Sequence, residues 1–261
     1  MIVLLLIGLG LCFGSFVNAL VFRMHAGKDW VKERSECLSC HHTLAAKDLI
    51  PVVSWLWLGG KCRYCKKPIP DTPATELVVP TLFVLSYLFW PLPLSGAGLF
   101  TFVLWLVFIV AFVALAMYDF KWFLLPDKIV FVVIGLAIVQ VGMVAIWTGK
   151  WQDAGMAVLA AAILTGTFLL LFEISKGKWI GFGDVKLAIA LGLLAGTPLK
   201  ALLLLLVASG IGTIVALPMV LKGKAGRKTK LPFGPLLIAG TIVTVLWGQT
   251  IADWYLNLVV M

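Results

Sequence analysis

Two aspartates stand where a lipid bilayer should exclude them. Asp119 closes the apolar run AFVALAMYDF, and Asp184 opens GFGDVKLAIALGLLAG. An ionised carboxylate at the centre of a membrane helix costs roughly 2.5–3.5 kcal/mol on insertion scales, and less toward the interface. A carboxylate retained at such a place usually faces the protein interior and is used there. Two of them at the same end of two helices form a pair that shares one proton, because like charges in close contact cannot both ionise cheaply. The ionised member can deprotonate a water that attacks a peptide carbonyl. The protonated member donates to the carbonyl oxygen and then helps the amine to leave. The titration belongs to the pair, so neither aspartate has a fixed role. The chemistry expected is that of an aspartyl protease inside a bilayer, with Asp119 and Asp184 catalytic.

The neighbours of each aspartate sharpen this. Gly181 and Gly183 precede Asp184. Glycines there let backbone approach closely and could admit an extended substrate strand, which makes both candidate substrate contacts. Lys186, two residues further on, could pair with an acidic residue of the substrate, or anchor a lipid headgroup. Taken singly, each aspartate also fits a helix cap or an interfacial anchor. Asp127 follows Leu125-Pro126, and since Pro126 should break any helix before it, Asp127 suits the cap of the next one. Pro232-Phe233-Gly234-Pro235 either presents backbone to a substrate or begins the last helix.

A second cluster lies between the first two apolar runs. Cys37-Leu38-Ser39-Cys40 and Cys62-Arg63-Tyr64-Cys65 are separated by 21 residues. Paired C-x2-C knuckles at this separation suit four thiolates around tetrahedral zinc. A reducing cytosol argues against two disulfides. The metal would tie together a segment with too little core to fold alone, and a closed four-cysteine set leaves no open position for catalysis. His41 and His42 are substitute ligands or solvent-facing neighbours, and Cys12 reads as helix packing.

The elements that must position these groups follow from composition. The chain is 62% hydrophobic and 13% charged, with a mean hydropathy of +1.07. No soluble domain of 261 residues has interior enough for that apolar surface, so the fold class is an all-α polytopic membrane protein. Residues 2–22 are long enough to span and lack the basic start and small-residue cleavage site of a secretory signal, which marks a retained helix. Residues 23–75 are polar and hold the four cysteines. Apolar runs follow at about 77–94, 97–118, 129–147, 154–173, 185–196, 199–221 and 234–252, so about eight transmembrane helices are expected. The run 185–196 is too short to cross a core of about 30 Å alone and must borrow flanking residues, tilt or be shielded by protein. Three parts result: the first helix (1–22), a small cytoplasmic zinc-knuckle domain with the four cysteines (23–75) and a helix bundle carrying both aspartates (76–261).

Charge sets the orientation. With the N-terminus outside, 19 Lys/Arg fall on the cytoplasmic side and only Lys150 and Lys200 outside, a decisive bias. Both aspartates then sit at the cytoplasmic ends of their helices. The same bias accounts for the net charge of +9, and no nucleic-acid partner is expected. Most tryptophans fall near segment ends, as interfacial anchors do.

With these residues together, the chain resembles the type IV prepilin peptidases, bifunctional leader peptidases and N-methyltransferases of pilus, secretion and competence systems. The likeness runs over nearly the whole length. It includes Gly14-Ser15-Phe16-Val17-Asn18 leading to Arg23, the cysteine knuckles, Ile50 to Trp55 and Gly60-Lys61-Cys62-Arg63. It continues through Asp119, Leu125-Pro126-Asp127, Gly181 to Lys186 and Leu231 to Pro235. The resemblance implies a catalytic Asp119–Asp184 dyad that cuts the leader of prepilins or pseudopilins after a glycine, at the cytoplasmic face of the bacterial inner membrane. It also implies methylation of the new N-terminus, usually Phe, with S-adenosylmethionine as donor. The chain departs from the family pattern at Asp71-Thr72-Pro73-Ala74-Thr75-Glu76, which lacks the usual aromatic-Pro pair, and at Met24-His25-Ala26, which lacks a proline. The residues of methylation do not emerge from spacing, since no glycine-rich nucleotide loop is present.

Two other readings compete. Tyr118-Asp119 and Gly181-Phe182-Gly183-Asp184 also fit an intramembrane protease of the presenilin or signal-peptide-peptidase kind, against which stand the cysteine knuckles and the Leu231–Pro235 ending. An ion-coupled carrier would use intramembrane aspartates too, but should show internal repeats with matching broken helices.

Overall fold

The structure, a computed structural model, describes residues 1–29, 34–69, 72–222 and 231–260. Asp71 and the basic residues Lys32, Lys224, Arg227, Lys228 and Lys230 lie outside the described residues. Among the described residues nine α-helices form, in the order α1 (Ile2–His25), α2 (Val53–Trp57), α3 (Ala74–Leu88), α4 (Gly96–Trp122), α5 (Asp127–Thr148), α6 (Trp151–Ser175), α7 (Phe182–Ala195), α8 (Pro198–Leu221) and α9 (Gly234–Val260). The same residues form no β-sheet, only the antiparallel bridges Glu36–Thr43 and Lys61–Pro68. Six helices, α1, α4, α5, α6, α8 and α9, are long and apolar enough to cross a membrane. Helices α3 and α7 are apolar but shorter. The run expected at 77–94 stops being helical at Leu88, because Pro91 and Pro93 cannot continue it.

The chain divides into two compact units. The first comprises residues 1–88 with 109–114, the second residues 89–108 with 115–261. In the first, α1 packs along α3 at backbone contact. A Cβ on Gly10 would overlap the Pro80 backbone, and one on Gly14 would lie 2.5 Å from the Thr75 carbonyl oxygen. Only glycine permits that approach, and small residues are what membrane helices use in place of a hydrophobic driving force. Cys12, expected to pack, lies on the outward face of α1.

In the second unit α7 lies against α5, α6, α8 and α9. Of its 14 residues nine are buried, from Asp184 to Ala195. The short run is therefore shielded by protein, one of the three solutions its length allowed. Trp90, expected as an interfacial anchor, packs instead against Phe102 and Trp105, with ring centres 5.2 and 6.2 Å away.

Candidate active site and metal centre

Three helix ends meet around the two aspartates. Asp119 sits in the last turn of α4, which ends at Phe123 in the left-handed conformation, its amide bonded to the Asp119 carbonyl at 2.9 Å. Asp184 is the third residue of α7, after the cap Gly181. The Asp184 amide donates to the Gly181 carbonyl at 3.1 Å, and the Gly181 amide donates back to the Asp184 carboxylate. This is the reciprocal logic of a capping box, so the helix-cap reading and the catalytic expectation fall on the same side chain.

Both carboxylates are nearly removed from solvent, Asp119 at 6% and Asp184 at 9% exposed, and they are close enough for their charges to act on each other. The Gly234 amide, at the start of α9, donates to the Asp119 carboxylate. A helix N-terminus carries partial positive charge, which suits a carboxylate. Gly234 has no room for a side chain: a Cβ there would lie 2.8 Å from Asp119 Oδ2. The Leu125 side chain wedges between Gly234 and Gly183, whose own Cβ would meet Leu125 Cβ at 3.0 Å. Gly234 is thus the site residue that sequence reasoning left undecided; the signal was its place between Pro232 and Pro235.

The other expected contacts are already engaged by the protein. Gly181 caps α7, and Gly183 makes room for Leu125. Lys186 donates to both carboxylate oxygens of Asp127, at 2.7 and 2.8 Å, while its ammonium lies 5.1 Å from the Phe182 ring centre and 5.6 Å from that of Phe131. Asp127 therefore opens α5 and joins it to α7. A substrate carboxylate that engaged Lys186 would have to displace Asp127.

The cysteine segment folds as two copies of one turn, 25 residues apart. The Cys37 amide donates to the His42 carbonyl at 3.0 Å and the His41 amide to the Cys37 carbonyl at 2.8 Å. In the second copy the Cys62 amide donates to the Lys67 carbonyl at 2.9 Å and the Lys66 amide to the Cys62 carbonyl at 3.0 Å. His41 and Lys66 hold matching left-handed conformations, with φ of 56° and 59°. The four Sγ atoms lie within 4.8 Å of one another, and Cys37 and Cys65 approach to 3.9 Å. Four sulfurs about 2.3 Å from a tetrahedral zinc would be about 3.8 Å apart, so the set fits that metal. Burial pushes the Cys37 thiol up, but the Ser39 and Cys40 amides and the adjacent thiols outweigh it and bring it to about 6, which favours thiolate. His42 stacks on Tyr64 at 3.6 Å and His41 faces Glu36, so neither is needed as a ligand. Asp48 fastens the linker between the copies to the second of them, accepting from Arg63 Nε at 2.6 Å and the Tyr64 hydroxyl at 3.0 Å.

Residues 8–90 match the bacterial peptidase A24 N-terminal domain, and residues 106–217 match the type IV leader peptidase family. A prepilin leader peptidase/N-methyltransferase of Stutzerimonas stutzeri is 31% identical over 95% of this chain and 92% of its own length. Those of Bacillus subtilis (30% identical; 95% of this chain, 96% of the relative) and Aeromonas hydrophila (29%; 95% and 91%) are similar along the same span. No solved structure matches the chain.

Proposed function

The chain belongs to the type IV leader peptidase family, and from that premise we propose that it is an aspartyl endopeptidase and N-methyltransferase acting on prepilins or pseudopilins. The observation that carries the protease half is the pair of buried, mutually interacting carboxylates, Asp119 and Asp184, at one end of the second unit's helices. The pair holds one proton between its members. The ionised carboxylate takes a proton from water, and the water oxygen bonds to the scissile carbonyl carbon. The other member protonates the carbonyl oxygen. As the C–N bond breaks, the departing nitrogen takes up a proton and becomes the new N-terminal amine. The Gly234 amide fixes one Asp119 oxygen, and the Gly181 amide fixes Asp184. Gly181 and Gly183 put no side chain of their own beside Asp184 where an extended peptide would approach, and an acidic residue of the mature chain would reach Lys186 by displacing Asp127.

The protein is a multi-pass bacterial membrane protein. The inner membrane, with the dyad at the cytoplasmic face, is the setting that the Lys/Arg bias supports. There the leader stays in the cytoplasm, the apolar start of the mature pilin lies in the bilayer, and the bond after glycine falls at their boundary. Cys37, Cys40, Cys62 and Cys65 would hold a zinc ion that organises the segment without entering the chemistry. S-adenosylmethionine, when bound, would supply an electrophilic S–CH3 group to the new amine, the electron pair staying on sulfur and the amine proton going to water.

The test uses purified protein in detergent and a synthetic leader peptide, read by mass spectrometry. Cleavage after glycine that disappears in Asp119→Asn and in Asp184→Asn supports the dyad; variants that cut like wild type refute it. A gain of about 14 Da on the new N-terminus when the methyl donor is added reports the second activity.

A further inference from the structure

The first unit encloses a cavity of about 220 Å³ that the protease chemistry does not use. One side is built by α1 and the start of α3, which contribute Ser15, Asn18 and Glu76; the other is built by the cysteine segment, including Leu44, Trp55 and Leu58. The cysteine cluster itself forms part of the wall, through Cys37 and Cys62.

Three features mark it as a built site. The Asn18 Oδ1 atom is buried with no hydrogen-bond partner among the described residues, an acceptor that lacks a donor. Leaving such a group unpaired is costly, and a ligand N–H would satisfy it. Glu76 is the second feature. The other acids on the wall are neutralised locally, Glu36 by Lys28 and Asp48 by Arg63. Glu76 accepts only the Val52 amide, at 2.6 Å, and among the described residues no cation pairs with it. The third feature is the turn that Glu76 holds. The Val53 amide reaches back to the Pro51 carbonyl at 2.6 Å, so Val52, with φ 60° and ψ −49°, is the centre of a γ-turn of the rare hand. A β-branched residue at positive φ is strained, and strain of this kind is retained where the surroundings use it.

The geometry points to this cavity as the site that binds S-adenosylmethionine, with Asn18 and Glu76 receiving its N–H donors and positive charge and the apolar wall with Trp55 facing its adenosyl group. The assignment rests on the N-methyltransferase half of the proposed function and deepens it. The donor set fits the ligand: among the described residues, one acceptor without a donor, one carboxylate without a cation, and an aromatic ring beside aliphatic side chains. The metal cluster then has a purpose in the wall, since losing it would open the cavity.

The test measures binding directly. Tritiated S-adenosylmethionine is equilibrated with the full-length protein in detergent, and ultraviolet cross-linking followed by peptide mapping locates the label. Glu76→Gln keeps an oxygen for the Val52 amide but removes the charge; Asn18→Leu removes the orphaned acceptor. Each should weaken binding about tenfold, as loss of a hydrogen bond to a charged or buried group does. The wild-type label should map within residues 1–88. Label within residues 115–261, or variants that bind like wild type, would overturn the assignment. If wild type methylates an N-terminal Phe peptide while both variants bind normally, the site falls and the methyltransferase reading stands. If wild type neither binds the donor nor methylates, both fall. Cleavage of leader peptide by the same preparations separates loss of binding from loss of fold, and the wild-type mapping needs no variant.

Discussion

Substituting Gly234 by alanine tests whether Asp119 is held where the chemistry requires. The added Cβ would sit 2.8 Å from Asp119 Oδ2 and 3.4 Å from Leu125 Cδ2. An ordinary carbon–oxygen approach is about 3.3 Å, so the carboxylate must retreat by about 0.5 Å. The obstructing atom is the end of a side chain, so it can swing away and the helices need not part. Stability should therefore change little. Catalysis tolerates misplacement poorly: productive geometry is held to about 0.5 Å, and a 1 Å error can cost about a hundredfold. Gly234→Ala should lower kcat for leader cleavage by about 10- to 100-fold, about 1.4–2.7 kcal/mol in the barrier, with Tm nearly unchanged. Gly166→Ala is the control, since its methyl would meet nothing within 4 Å. Cleavage is followed by mass spectrometry and unfolding by thermal shift. If Gly234→Ala cuts like Gly166→Ala, the Asp119 carboxylate does not act from the position that the Gly234 amide defines, and the proposed mechanism is wrong.

Three further outcomes are expected. Lys186→Met removes an ion pair whose side chains are 22% and 55% exposed, a type worth about 1 kcal/mol at most, so Tm should barely move; a severalfold rise in KM with kcat held would support a substrate contact, and an unchanged KM would remove it. Metal analysis should find one zinc per chain, lost in Cys62→Ser, and proteolysis should then open residues 34–69; a variant that resists the protease as wild type does would show that the segment folds without metal. Asp48 is raised by its burial, but Arg63 and Tyr64 outweigh that and hold its carboxyl below the ordinary carboxylate range of about 4. The stability this gives is fully present above the ordinary value and lost as pH falls through the depressed one. The Tm gap between wild type and Asp48→Asn should thus be open at pH 6 and close toward pH 3; a gap that does not narrow would contradict the pairing.

What could be read from the chain and what could not divide along a physical line. The burial of Asp119 and Asp184 was legible because a charge inside an apolar run is costly unless the protein shields it. The cysteines were legible because ligand spacing is local chemistry, and the 25-residue repeat of the knuckle only deepens it. Gly234 was not, because its partner Asp119 is over a hundred residues away and a glycine before a helix looks the same whether or not a carboxylate lies against it. The same holds for Glu76 and Val52: neither residue type announces a strained turn, which exists only because α3 places a carboxylate within reach of that amide. Lys186 was seen as a free cation because its partner Asp127 reads locally as a cap.

Helix α7 shows why the site could be built at all. Fourteen residues give about 21 Å, short of a hydrocarbon core of about 30 Å, so α7 cannot span as an independent helix. It is held because neighbouring helices replace lipid around it, and this needs backbone-to-backbone contact. A Cβ on Gly192 would overlap the Ala161 backbone, and one on Gly240 would lie 2.8 Å from the Leu204 carbonyl oxygen, so α7 against α6 and α9 against α8 are fitted through small residues. A helix that ends inside the protein leaves its first amides without intrahelical partners. In α7 the Asp184 carboxylate meets one of them, and in α9 the Asp119 carboxylate meets the Gly234 amide. The helix ends and the carboxylates thus satisfy each other, so the groups that would be most costly to bury separately stabilise the fold together at the proposed site of cleavage.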